Sequence, residues 1–145
     1  QAKERVRRAV SSLELEARKN LLAKKQELIT VAFDAAFDNI MKLPEDRYVA
    51  FLCRLACEAS LTGNEEVVLS PADRSRFGKQ VVIGANSLLG QAKKSAALTL
   101  SQEMRPINGG LVLKSGDTEV NCTLDTIVRL IKNDLAFDVA KVLFQ

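Results

Sequence analysis

The chain has 145 residues, with 21 Lys and Arg against 18 Asp and Glu, and it contains no His. Without histidine it can form no Ser-His-Asp triad, no Cys-His dyad and no His-ligated zinc site. Its 47% hydrophobic and 27% charged residues are typical of an ordinary folded chain rather than a disordered or fibrous one, and its length predicts one domain with a modest core.

The positive charge is concentrated at the start of the chain. Residues 1–27 hold eight basic and four acidic groups, a net of +4, whereas the remaining 13 basic and 14 acidic groups give −1. All seven Gly and three Pro lie at or after Pro44. The first 43 residues therefore favour helix, and the rest of the chain is divided by turns.

The first predicted element is one long helix over residues 1–43. Residues 1–27 carry only a thin apolar stripe, which we expect to contact a partner helix: Val6, Val10, Leu13, Ala17 and Leu21. Residues 28–43 are apolar on most sides, so we expect 1–27 to protrude and 28–43 to pack on a globular head spanning 44–145. Eleven-residue spacings such as Val6, Ala17 and Leu28 fit a right-handed supercoil and an ordinary amphipathic helix equally well.

The predicted head has an α+β fold, with roughly four short, mostly antiparallel strands packed against helices. Pro44 opens a helix to about Ser60, and Glu65–Leu69 is a strand. Ser70-Pro71-Ala72-Asp73 is a helix start with an N-cap serine, and this helix falters at Gly78 or Gly84 and ends near Gly90. The later predicted elements are a strand at 96–100, a hairpin pairing 111–114 with 118–122, a helix capped by Thr123, and a last turn or two with Val139, Val142, Leu143 and Phe144.

No predicted segment carries an assignable catalytic mechanism. Gly109-Gly110 lacks the lysine and following helix of a phosphate loop, so a tight turn is expected. Cys53, Cys57 and Cys122 lack zinc-knuckle spacing and are expected to be free, buried thiols. Asp73 suits the first turn of a helix, and Glu65-Glu66 a solvated strand edge. We expect no catalytic residue, no cofactor and no metal.

Two other functions remain open from the residues alone. Basic residues of the first helix, such as Arg5, Arg7 and Arg8, could bind nucleic acid, but interspersed glutamates and the absence of aromatic residues before Phe33 favour a solvated, salt-bridged face. A thiol-dependent or metal-dependent enzyme is the third hypothesis. The chain lacks a signal-peptide core and a membrane-spanning run, so a cytoplasmic protein is expected. Its Gln start suggests a piece of a longer polypeptide.

The residues of the back half resemble a known family. The run GGLVLKSGDTEVN at 109–121, the apolar helix after it and the ending VAKVLF at 139–144 resemble the C-terminal domain of the E subunit of V-type and archaeal A-type ATP synthases. LSPADRSRFG at 69–78 is similar to a second stretch of that family. The chain departs from the family near Ala136-Phe137, where many members carry a proline or an acid, which leaves open the form of the helix after Leu135.

The resemblance implies a non-catalytic peripheral-stalk subunit with part of its N-terminal stalk helix. Such a stator links the catalytic head to the membrane sector and resists torque during ATP synthesis or hydrolysis, coupled to proton or sodium transport. The long helix would pair with the G or H subunit in a right-handed coiled coil, and the head would contact the B subunit. The implied location is cytoplasmic and peripheral to the membrane. The unpaired fragment could also self-associate through its stripe.

Overall fold

The computed structural model describes residues 1–143, and Phe144 of the predicted last turn lies outside them. It confirms an α+β fold of four helices and four strands. In chain order the elements are α1 (Ala2–Met41), α2 (Glu45–Ala59), β1 (Glu66–Leu69), α3 (Pro71–Gln91), β2 (Thr99–Met104), β3 (Gly110–Ser115), β4 (Thr118–Thr123) and α4 (Leu124–Leu143).

Packing divides the chain into two compact units, Gln1–Ala36 with Arg129–Gln145, and Phe37–Val128. This grouping describes contacts within the chain. The division into a stalk helix (1–43) and a head (44–145) concerns an assembly and stays a prediction.

Helix α1 runs through 40 residues, and none of them is buried. The absence of Gly and Pro before Pro44 explains why nothing interrupts it. Residues 28–43 are less buried than their composition predicts, because Leu28 and Val31 are 67% and 62% exposed. Only near the end of this segment do Ile40 and Leu43 pack in part against the core.

In the first unit, the second half of α4 lies beside α1. Half-buried residues follow one face of each helix: Leu22, Ile29 and Phe33 in α1, and Lys132, Ala136, Val139, Ala140 and Leu143 in α4. Lys25 of α1 and Asp138, Val139, Val142 and Leu143 of α4 line a shared cavity of about 210 Å³. Helix α4 is continuous from Leu124 to Leu143, so no break follows Leu135.

In the second unit, the four strands form one sheet in the order β2-β1-β3-β4. Strands β1 and β2 are parallel, and the other two pairs are antiparallel. Strand β2 starts at Thr99, not at the predicted Ala96, and continues to Met104. The predicted start was wrong because the backbone N–H and C=O of Leu98 bond to the Asn86 side chain rather than to a strand. The predicted end was wrong because the last three residues of this edge strand are exposed and show no apolar alternation.

Helices α2 and α3 pack on one face of this sheet. The core contains Leu52 and Ala56 of α2, Val81, Ala85 and Leu89 of α3, and Val67, Leu69, Leu111 and Leu113 of the strands. The two helices approach closely at Gly84, where an added Cβ would overlap Cys53 Sγ. Close backbone approach therefore explains the glycine in mid-helix.

The start of α3 confirms the predicted cap. Ser70 Oγ accepts a hydrogen bond from the Asp73 N–H at 3.2 Å, and Pro71 occupies the first helical position. The predicted irregularity falls at Phe77, whose φ of −150° and ψ of 20° depart from the helix just before Gly78. Phe77 is buried and meets the Tyr48 ring edge-on, with 5.7 Å between ring centroids.

The opposite face of the sheet is covered by charged side chains. Val68 and Val112 pair across β1 and β3, and both are buried. By strand alternation Lys114 lies on the face of Val112, opposite Glu119 on β4. Four residues form a joined ion cluster: Glu103, Arg105, Lys114 and Glu119.

The predicted hairpin is confirmed, with β3 and β4 paired from Gly110↔Thr123 to Ser115↔Thr118. Thr123 precedes α4, but its hydroxyl bonds to the side chains of Asn121 and Thr126, so it does not make the predicted backbone cap. The first N–H of α4, at Leu124, instead donates to the Gly109 carbonyl at 3.2 Å.

Candidate functional site

The predicted stripe on α1 is exposed in the structure. Val6, Val10, Leu13 and Leu21 are 62%, 47%, 66% and 46% exposed, and Ala17 is also exposed. With about 100° per residue, the five side chains lie within an arc of about 80°. The half-buried face that includes Leu22, Ile29 and Phe33 lies roughly 140° away around the helix axis. The stripe is therefore a separate face.

Two further residues extend this face beyond the predicted stripe. Leu28 and Val31 fall within the same arc, and both are largely exposed. From sequence the stripe ends at Leu21, because residues 28–43 are apolar on most sides. The eleven-residue row Val6, Ala17, Leu28 was the signal that could have extended it.

The basic residues of α1 lie on a solvated surface. Arg8 Nη2 is 3.2 Å from Glu4 Oε1, and Arg7 Nη2 is 3.9 Å from the same oxygen. All three side chains are about half exposed or more, so these pairs contribute little stability. These two ion pairs agree with the solvated, salt-bridged helix face that the charge pattern predicts.

A tyrosine hydroxyl joins three segments of the second unit. Tyr48 Oη accepts the Gly110 N–H at 3.0 Å and donates to an Asp73 carboxylate oxygen at 3.3 Å. Burial, partly offset by the Gly110 N–H, raises the pKa of Tyr48 to about 12, and the neighbouring Asp73 adds to the effect. Burial also raises the pKa of Asp73, against the opposing effects of Tyr48, Arg76 and Ser70. Asp73 thus does more than occupy the first turn of α3.

Glu65 contradicts its predicted place at a solvated strand edge, since it is only 3% exposed. Its carboxylate accepts hydrogen bonds from the Ser60 hydroxyl and from the N–H groups of Leu61, Thr62 and Gly63. Burial alone would raise the pKa of Glu65, but these bonds favour the charged form and lower it to about 2. The carboxylate fixes the loop between α2 and β1, a structural role.

The three cysteines are free thiols in surroundings that do not favour reactivity. Cys53 and Cys122 are buried and Cys57 is half-buried, and all three are free thiols. Burial raises the pKa of both Cys53 and Cys122, which disfavours the reactive thiolate. Across residues 1–143, no group of three or more His, Cys, Asp or Glu is placed to hold a metal ion.

Gly109 and Gly110 form a tight turn, as predicted. Their φ angles are +88° and +80°, a region that favours glycine. A Cβ on Gly110 would overlap the Cys122 carbonyl oxygen, and one on Gly109 would meet Leu124 and Met41. A strand follows the turn, so the pair opens the β3–β4 hairpin.

The structure defines the class of protein: an α+β protein with a long N-terminal helix that carries an exposed apolar stripe. None of the described helices has an apolar stretch long enough to cross a bilayer. Residues 1–144 match the family described as ATP synthase (E/31 kDa) subunit, and the chain belongs to that family.

Individual relatives agree with this assignment. The chain is 35% identical over 127 residues to the E subunit of the V-type proton ATPase of Thermoanaerobacter pseudethanolicus, which covers 88% of this chain and 64% of the relative. It is 29% identical over 144 residues to the E subunit of a V-type ATP synthase of Clostridium botulinum, covering 99% of this chain and 72% of the relative. The chain thus spans less than two thirds of the Thermoanaerobacter relative.

Proposed function

We propose that this chain is part of a non-catalytic peripheral-stalk subunit of a rotary V-type or A-type ATPase. It would link the catalytic head to the membrane sector and resist torque during ATP synthesis or hydrolysis, coupled to proton or sodium transport. Support comes from the family match and from relatives named as E subunits of V-type ATPases and ATP synthases. In this role the protein lies on the cytoplasmic side, peripheral to the membrane.

The observation that carries the proposal is the exposed apolar stripe on an unbroken helix. A helix of 40 residues is on the order of 60 Å long at 1.5 Å per residue. A stator must transmit force without yielding, and α1 contains no Gly or Pro at which it would bend. The stripe offers a second helix a continuous surface along this element.

The partner for the stripe is a helical stalk protein of the G or H type. The family resemblance implies a right-handed supercoil with that helix, and the eleven-residue rows on α1, which average about 3.67 residues per turn, are compatible with it. The globular part of the chain would contact the B subunit of the catalytic head. The nucleic-acid alternative is not supported: Arg7 and Arg8, two of the three arginines near the start of α1, pair with Glu4, and the family match concerns an ATPase component.

Substitutions on α1 test the partner interface. We expect Val10→Asp with Leu21→Asp to weaken co-purification with the G/H-type partner, because each places a charge in an apolar contact. Thermal unfolding of the Phe37–Val128 unit should stay nearly unchanged, since both sites lie outside it.

The chain offers a closely matched control. Leu15 is 45% exposed against 46% for Leu21, but it lies about 180° from Val6 around the helix. Leu15→Asp therefore adds the same charge on the opposite face and should leave partner binding intact. Equal binding by the Leu15→Asp and Leu21→Asp proteins would refute the stripe as the interface.

The isolated chain should also self-associate, because an apolar stripe without its partner can pair with another copy. Light scattering should show a concentration-dependent mass that Val10→Asp with Leu21→Asp reduces to that of the monomer. A monomer at every concentration would contradict this expectation.

A further inference from the structure

A hollow on α3 in the Phe37–Val128 unit is lined by three cations and no acid. It encloses about 430 Å³ between α3 and β2, and we call it the α3 hollow. Its lining residues are Arg74, Ser75, Arg76, Phe77, Gly78, Lys79 and Gln80 of α3, and Leu100 of β2.

The three cations retain donors for a ligand. The Nε of Arg74 donates to the Ser101 carbonyl at 2.9 Å, which orients the guanidinium, and its two terminal nitrogens make no hydrogen bond to any residue of 1–143. Arg76 lies 3.6 Å from Glu45 and also near Asp73, whose pKa is raised by burial and lowered in part by the charge of Arg76. The Glu45 pair is exposed, so another carboxylate can replace it at little cost. Within residues 1–143, no carboxylate lies within 4.0 Å of the Lys79 ammonium group.

An apolar side chain lies next to these charges. Ile83 is 70% exposed and follows Lys79 by four residues, so the two share one face of α3. A single exposed isoleucine is ordinary on a protein surface. Here it extends the concave cationic surface with an apolar contact, a combination that suits an acidic protein segment better than a small anion.

The local charge differs from that of the chain around it. Residues 28–145 have 13 basic and 14 acidic groups, a net of −1, whereas the lining residues of the α3 hollow carry three positive charges and no negative one. Glu45 and Asp73 lie beside Arg76 outside the lining, so Arg74 and Lys79 contribute most of the excess. Such a local excess attracts a surface of opposite sign and fixes its orientation.

We propose that the α3 hollow, together with Ile83, docks an acidic segment of a partner protein. Carboxylates of the segment enter the hollow and pair with Arg74, Arg76 and Lys79, while an apolar side chain of the segment covers Ile83. The inference rests on the proposed function in one respect: within a rotary ATPase, the segment belongs to the catalytic head.

A peptide titration tests the site itself. The probe is a synthetic peptide in which glutamates flank a leucine, added to the full ¹⁵N-labelled chain, and the readout is the backbone amide shifts. We expect shifts concentrated at residues 74–83, which diminish at about 1 M salt, where the Debye length is about 3 Å. Arg76→Glu with Lys79→Glu should weaken binding about tenfold or more by turning attraction into repulsion. Ile83→Ala should weaken it about threefold.

The control reverses two cations that do not line the hollow. Arg54 and Lys94 are both exposed, and Arg54→Glu with Lys94→Glu changes the net charge equally. Peptide affinity should stay within about twofold of the unaltered chain, as non-interface charges act weakly. Shifts elsewhere on the chain, equal losses in both double variants, or the same shifts from inorganic phosphate alone would overturn the proposal.

A second titration uses the purified catalytic head of the native ATPase. Arg76→Glu with Lys79→Glu should weaken binding of the chain about tenfold, whereas Leu21→Asp should not. If the head binds both proteins equally well, the docking inference is wrong while the stator function stands. If the head binds neither the unaltered chain nor any variant, but the peptide still binds the α3 hollow, the proposed function fails and the docking site stands.

Discussion

Replacing Glu65 with Gln should destabilise the loop between α2 and β1, because the Glu65 carboxylate accepts hydrogen bonds from backbone and side-chain donors of that loop. The carboxylate is 3% exposed and accepts four hydrogen bonds, from Ser60 Oγ at 2.6 Å and from the N–H groups of Leu61 at 2.7 Å, Gly63 at 3.0 Å and Thr62 at 3.3 Å. Gln has nearly the same shape, but it has no charge, and its NH₂ group would face donors. At least one buried donor then lacks an acceptor.

The size of the effect follows from the pKa. Hydrogen bonds outweigh the opposing effect of burial and hold the pKa of Glu65 at about 2, against an ordinary value of 4.5. A difference of about 2.5 between the ordinary and the folded-state pKa, at about 1.4 kcal/mol per pKa unit, gives an upper value of about 3.5 kcal/mol for the charged form. We therefore expect Glu65→Gln to lower the free energy of unfolding at pH 7 by about 2–3 kcal/mol.

The pH dependence gives a sharper signature than the loss of stability. Because the folded-state pKa lies below the unfolded one, the stabilisation is fully present above pH 4.5 and is lost as the pH falls towards about 2. Urea unfolding at intervals from pH 7 to pH 2.5 should therefore show that the difference between the unaltered and Glu65→Gln chains shrinks with acid.

The neighbouring carboxylate provides the control. Glu66 is exposed and lies opposite Lys114 on the next strand, so Glu66→Gln should change stability by less than about 0.5 kcal/mol. If Glu65→Gln were as mild as Glu66→Gln, or if its effect did not change with pH, the carboxylate would not be holding the loop.

Three further predictions concern the packing of the second unit. Gly110→Ala should destabilise more than Gly116→Ala in urea unfolding, since both have positive φ but a Cβ meets nearby atoms only at Gly110; equal effects would contradict the steric argument. Gly84→Ala should lower the free energy of unfolding by about 1–3 kcal/mol, because its Cβ would overlap Cys53 Sγ. Adding Cys53→Ala should recover part of that loss, and additive effects of the two substitutions would refute the contact between Gly84 and Cys53. The free energy of unfolding should fall as the pH rises from 10 towards 12, because the pKa of Tyr48 is higher in the folded chain than in the unfolded one. Tyr48→Phe should remove this fall, and a fall that persists in Tyr48→Phe would be due to other groups.

The sequence predicted those elements whose ends are determined by interactions between residues a few positions apart. The Ser70-Pro71-Asp73 start of α3 is one example, because the capping bond joins residues three apart. The hairpin is another, since the turn at Gly116 lies between two short apolar runs. The fold class followed from such signals.

Residues whose role depends on distant partners were not predicted. Tyr48 bonds to Gly110, 62 residues along the chain, and no local pattern marks that pair. From sequence, Glu65 is expected to be a surface acid, because its hydrogen-bond donors are backbone N–H groups that surround it only once the loop has folded. For the candidate site, apolar spacing located the stripe, but neither the exposure of Leu28 and Val31 nor the α3 hollow could be inferred without the arrangement of the elements.

The central position of β1 has a consequence for the kinetics of folding. This four-residue strand lies between β2 and β3, so both halves of the sheet depend on it. Its residue Glu66 pairs with Thr99 and Lys114, which lie 33 and 48 positions later (99 − 66 and 114 − 66). The β3–β4 hairpin needs no such loop closure and can form early, whereas each of the two pairings of β1 is stabilising only after its own long loop has closed. Substitutions that weaken the early hairpin should therefore slow folding, whereas those in β1 should slow folding only to the extent that its pairings exist in the transition state and should otherwise speed unfolding.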